Sequence, residues 1–127
     1  MNELNEVLMY YHVEENISKP ICIIMQQLDV KVMEIKDEDI HHTMGYLLKV
    51  PGFKPSEEEG KDIPKDSFLF FAGMSGEQID IILDIFKNAK IPYIPYKAML
   101  TNDNIQYPFY VLYENVKQEY LNLVNQK

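Results

Sequence analysis

No arginine occurs in this chain; all 12 basic residues are lysines, set against 20 acids for a formal net charge of −8. Nucleic-acid binding rests on neutralised phosphates, and arginine supplies the commonest bidentate contacts to bases and phosphates. A DNA or RNA partner is therefore not expected, and neither is an anionic membrane surface. Only one cysteine is present, Cys22, so an internal disulfide is excluded. Its place within the apolar run ICIIM suits a buried, inert thiol better than a nucleophile. No apolar run approaches the ~18 residues of a membrane span. The first residues lack the basic start and hydrophobic core of a secretory signal. The expected setting is a reducing cytoplasm.

What is present is the composition of a packed domain. The 127 residues are 46% hydrophobic and 12% aromatic, enough for one core without staples. Residues 1–127 read as a single α/β domain. Its interruption at 50–65, VPGFKPSEEEGKDIPK, is rich in proline, glycine and acid and reads as a solvated loop.

Along the chain, strand and helix patterns alternate. Glu6–His12 is apolar at nearly every position, as a strand covered on both faces would be. Ile17, Ile21, Ile24, Met25 and Leu28 recur at helical spacing. Val30–Ile35 alternates apolar residues with Lys31 and Glu34, so one of its faces should be wet. Asp37–Asp39 brings three carboxylates to a helix start, with Ile40, Met44, Leu47 and Leu48 as its apolar stripe. Ser67–Ala72 is the most apolar strand. Ser75 followed by Gln78 reads as a capping box for a helix over Glu77–Lys90. Pro92–Tyr96 is a short strand whose prolines place it at an edge, and a last helix runs from Pro108 to about Val124.

This βαβαβαβα order predicts a four-stranded, mostly parallel sheet with helices on both faces. The all-apolar first and third strands belong in the middle, giving the order 2-1-3-4. A ferredoxin-like α+β sandwich is the alternative.

In a parallel sheet of this order, ligands bind beyond the carboxyl ends of the strands where the order reverses. His12 and Glu14 would arrive there from the first strand, Gly73, Ser75 and Gly76 from the third, and Lys97 from the fourth. Thr101 and Asn104 follow in the next turn. Helix-start N–H groups beside a lysine could hold a carboxylate or phosphate. Lys97, crowded by Tyr93, Ile94, Tyr96, Ala98 and Met99, could have its charge held by the carbonyls of the Thr101–Asn104 turn or its pKa lowered for nucleophilic work. Ser75, Thr101 and Asn104 also have plainer roles as helix and turn caps.

No cofactor is expected, because GMSG lacks both the GxxxxGK[ST] and GxGxxG patterns. No metal is expected either: His41 and His42 are adjacent rather than four apart, and no HxxxH or CxxC occurs.

The segments FLFFAG, MSGEQID and KAMLTNDN, followed by an amphipathic helix, resemble the family Domain of Unknown Function 3783, whose members are short, mostly Firmicutes proteins. Gly73, Ser75, Lys97, Ala98, Leu100, Thr101 and Asn104 fit its pattern, and the similarity covers about Phe68–Leu121. Asn115 and Lys117 stand where the family pattern has more acids. The resemblance implies a bacterial protein and supplies a motif without an activity.

The function expected on these grounds is a non-catalytic binding or regulatory module for an anionic metabolite or a protein partner. One alternative is a small enzyme using Lys97. Another is an interaction subunit, for instance a homodimer, associating through exposed Tyr, Phe and Met side chains.

Overall fold

The computed structural model describes residues 5–125. Its elements are β1 (Val7–Tyr11), α1 (Glu15–Gln27), β2 (Lys31–Ile35), a 3-10 turn (Asp37–Asp39), α2 (Met44–Leu47), β3 (Phe68–Ala72), α3 (Gly76–Asn88), β4 (Tyr96–Met99), a second 3-10 turn (Asn104–Gln106) and α4 (Phe109–Asn125).

The four strands form one sheet in the order β2-β1-β3-β4. As expected, the two apolar strands take the centre: all five residues of β3 are buried, as are four of the five in β1. In β2, Lys31 and Glu34 are exposed at the sheet edge. The pairs β1–β2 and β3–β4 are parallel, whereas β1–β3 is antiparallel. The sheet is thus mixed, and its central pair departs from a uniform strand direction. The segment between α2 and β3 accounts for this. It carries no helix long enough for a crossover and instead delivers β3 from the end of the sheet where β1 finishes.

The two faces have separate cores. On one, Leu8, Leu69 and Phe71 pack with Ile21 and Met25 of α1 and with Ile82 and Phe86 of α3. On the other, Met9, Tyr11, Phe68 and Phe70 pack with Met44 of α2 and with Phe109, Leu112 and Tyr113 of α4. Phe68, Phe70, Phe71 and Phe109 are almost wholly inaccessible, each contributing roughly 1.5–3 kcal/mol of apolar burial. Helical periodicity overstates the buried stripe of α1 at its end, where Leu28 is exposed.

Two boundaries differ from expectation in ways that matter for the site. Asp37–Leu48 is not one helix but a 3-10 turn followed by a single α-turn, because Thr43 is extended and caps α2 through the Tyr46 amide. Pro92–Pro95 lies outside the sheet and the strand begins at Tyr96. Two residues without N–H groups cannot propagate a ladder, so Lys97 falls inside β4 rather than after it.

Candidate binding cleft

Lys97 pairs in register with Leu69 of β3 and so faces the α3 side of the sheet. There it joins a cleft of about 480 Å³ lined by Leu69, Leu83, Phe86, Ile91, Ile94 and Tyr93, with Asp80, Asp84 and Lys87 of α3 also on its wall. The lysine stem lies along apolar surface. Its ammonium donates to the Ile94 carbonyl and sits 4.4 Å from the centre of the Tyr93 ring. Burial holds the Lys97 pKa below the ordinary lysine value, because the charged form is the one that loses solvation. Among the described residues no carboxylate lies within ion-pair distance of it.

The local chain explains this placement. Pro92 and Pro95 hold the backbone extended, which sends the Tyr93 ring outward, 77% exposed, and leaves the Ile94 carbonyl unused by the sheet. A cation–π contact with an aromatic face and a charge–dipole bond to a carbonyl keep the ammonium in place without neutralising it.

The other residues predicted for the site do not line this cleft. Thr101 and Asn104 form a reciprocal cap: the Thr101 amide donates to Asn104 Oδ1 (2.8 Å), the Asn104 amide to Thr101 Oγ1 (3.0 Å), and Asn104 Nδ2 to the Met99 carbonyl (2.9 Å). Asn104 is 8% exposed. Its amide group is thus occupied in ending β4. Ser75 and Gln78 form the predicted capping box on α3. Gly73 takes φ +75° after β3, a conformation glycine adopts without steric cost. Gly76 opens α3 with free space around its Cα.

His12 lies at the opposite end of the sheet from Gly73 and Ser75, a direct result of the antiparallel β1–β3 pair, whereas Lys97, level with Leu69 and Tyr10 in the registers, sits toward the His12 end. The carboxyl ends of β1 and β2 share one rim and those of β3 and β4 the other. The predicted single rim, with His12 beside Gly73 and Ser75, is therefore split in two. On its own rim His12 adopts φ +51° and stacks on Tyr11 at 4.0 Å between ring centres. Its Nε2 meets Asp37 Oδ1 at 2.5 Å and its Nδ1 lies 3.3 Å from the Lys65 carbonyl. The Tyr11 hydroxyl donates to Asp37 (3.2 Å) and to the Pro64 carbonyl (2.7 Å). This cluster ties the end of the 50–65 segment to the sheet.

The sequence sets Tyr93 and Ile94 beside Lys97 but points to the carbonyls of the Thr101–Asn104 turn as holders of its charge; the structure gives that role to the Ile94 carbonyl and the face of the Tyr93 ring instead. The signal was present in the paired prolines of IPYIPYK, which mark an extended approach to the sheet rather than a strand. Among the described residues no group of three His, Cys, Asp or Glu side chains is placed to hold a metal, and no helix is long and apolar enough to cross a membrane.

Residues 67–121 match the model of the family described as Domain of unknown function (DUF3783), the family that FLFFAG, MSGEQID and KAMLTNDN resemble. The match spans β3, α3, β4, the second 3-10 turn and most of α4, so the Lys97 cleft lies within it. No curated protein and no solved structure matches the chain.

Proposed function

We propose that the protein is a cytoplasmic, non-catalytic binding module whose ligand is a small carboxylate on an apolar or aromatic body, held in the cleft between α3 and β4. The observation that carries this reading is the Lys97 ammonium, half-buried, set among apolar side chains and without a carboxylate partner among the described residues. A desolvated cation gains most from an incoming anion, because the low local dielectric strengthens their attraction.

The lining defines the ligand further. Leu69, Leu83, Phe86, Ile91 and Ile94 favour an apolar body, and the exposed Tyr93 ring offers a stacking face. Asp80 and Asp84 on the same wall disfavour polyanions such as nucleotides, since a second or third negative charge would meet them. An enzyme using Lys97 would need another titratable group within hydrogen-bond reach. The hydrogen bond Lys97 makes goes instead to a backbone carbonyl, which favours binding over catalysis.

The test is a thermal-shift screen of carboxylate and phosphate metabolites against the wild type and Lys97→Ala. Apolar monocarboxylates are expected to raise the Tm of the wild type and leave the variant unmoved. Equal stabilisation of both proteins would remove Lys97 from the site.

A further inference from the structure

The two halves of the fold repeat each other in detail. Glu15–Gln27 and Gly76–Asn88 are helices of 13 residues each, 61 positions apart. At the same spacing, His12 and Gly73 both take positive φ after their strands (+51° and +75°), and Asp29 and Lys90 both do so after their helices (+60° and +62°). The hydrogen bonds that end the two helices correspond as well: Val30 to the Met25 carbonyl and Ile91 to the Phe86 carbonyl, Asp29 to Gln26 and Lys90 to Lys87. The strand registers match too. Leu8 pairs with Val32 as Leu69 does with Lys97, and Met9 with Met33 as Phe70 does with Ala98. After β2, the Lys36 amide donates to the side chain of Asp39 (3.0 Å), and after β4 the Thr101 amide donates to that of Asn104 (2.8 Å).

The contacts between the halves are reciprocal. Met9 and Phe70, equivalent by this correspondence, are each other's partners in the antiparallel pair. Thr43 and Pro108, also equivalent, form an isolated bridge. In it the Met44 amide donates to the Tyr107 carbonyl (2.9 Å) and the Phe109 amide to the His42 carbonyl (3.1 Å). Only a two-fold axis through both pairs makes each contact its own mirror.

We infer that residues 6–48 are a second, diverged copy of the unit carried by residues 67–113, and that β3 with the Tyr107–Phe109 turn is a pairing surface for a second copy of that unit, supplied here by the same chain. The copies differ in the length of their last helices, 4 residues in α2 and 17 in α4, and at the cleft. The counterpart of the Lys97 cleft is a depression lined by Cys22, Gln26, Val30 and Val32, in which Val32 stands where Lys97 does, Gln26 where Lys87 does and Cys22 where Leu83 does. The spacing between copies grows from 61 positions at the helices to 65 at the outer strands (Lys31 to Tyr96). The four added residues fall in the stretch that carries Tyr93 and the Ile94 carbonyl. The anchored cation is therefore a feature of the second copy alone, and a ligand held by it binds once per chain. The pairing itself does not depend on what the cleft binds.

A chain whose residues 6–48 are replaced by a copy of residues 67–113 tests the pairing. Its amide NMR signals should collapse into one set for both copies, away from the linker and the C-terminal end. A folded chain with two distinct sets would overturn the inference. Where that chain does not fold, Lys36→Thr/Asp39→Asn in the wild type decides. Equivalence places the new amide within reach of the Glu34 carbonyl, as Asn104 reaches Met99, and Tm should rise by about 2–5 °C for the gain of about one hydrogen bond. A fall in Tm would show that the turns are not equivalent and would end the proposal.

Discussion

The Lys97 ammonium is anchored by the carbonyl of Ile94, three residues behind it, in a stretch that two prolines keep from joining the sheet. That bond fixes the position of the charge and leaves it unneutralised, which sets both the cost of the site and its use.

Lys97→Met is expected to stabilise the fold at neutral pH, by a few tenths to about 1 kcal/mol once solvent screening of the half-exposed group is allowed for. Met keeps the apolar stem and removes the partly desolvated charge. The pH dependence carries a definite sign. The folded-state pKa of Lys97 is lowered by burial, so the unfolded chain binds the proton more tightly. Wild-type stability, compared with Lys97→Met, should therefore rise as pH climbs from the folded value towards the unfolded ~10.4. Urea unfolding of both proteins between pH 7 and pH 10 measures the difference. A gap that widens with pH would contradict the assignment.

Asn104→Ala should cost about 2–3 kcal/mol. It leaves the Thr101 amide and the Met99 carbonyl without their partner, the one buried side chain of an otherwise exposed turn. Because Asn104 does not line the Lys97 cleft, ligand affinity measured well below the melting temperature should be unchanged. A selective loss of affinity with full stability would assign the Thr101–Asn104 turn to the site instead.

At the rim where β1 ends, hydrogen bonds from His12 and then Tyr11 hold the Asp37 carboxyl below its ordinary value. A lowered carboxylate pKa contributes stability that is fully present above the unfolded value of about 3.9 and is lost as pH falls through the lower folded value. Asp37→Asn should flatten this part of the acid limb of the stability profile, with little effect on binding at the Lys97 cleft. The comparison is the midpoint of acid unfolding followed by circular dichroism. An unchanged acid limb in the variant would show that the His12–Asp37 contact is not maintained in solution.

The strand order was readable because burial on both faces leaves continuous apolar runs, VLMYY and FLFFA, while Lys31 and Glu34 mark β2 as an edge. Strand direction was not readable. The apolar character of β1 and β3 is the same whether they run parallel or antiparallel, and nothing in residues 50–65 states the direction in which the chain re-enters the sheet. That one ambiguity split the expected rim and separated His12 from Ser75. The cap of Ser75 on α3 and the pairing of Thr101 with Asn104 follow from local chemistry and were legible. The Tyr93–Lys97 contact depends on how two prolines bend the approach to β4, a tertiary outcome. The internal repeat was hidden because the equivalent positions conserve shape more than identity. Leu8 and Leu69, Ile21 and Ile82, and Ile40 and Ile105 coincide, but Met25 faces Phe86 and Met44 faces Phe109.

The most direct measurement is an NMR titration of the wild type with benzoate, a single carboxylate on an aromatic ring, following the backbone amides and the Lys97 ε-methylene. Shift changes confined to Leu83–Phe86 and Ile91–Lys97, saturating at one benzoate per chain and absent in Lys97→Ala, are the predicted result. Shifts centred on Ser75, Thr101 or His12, or a response that persists in Lys97→Ala, would contradict it.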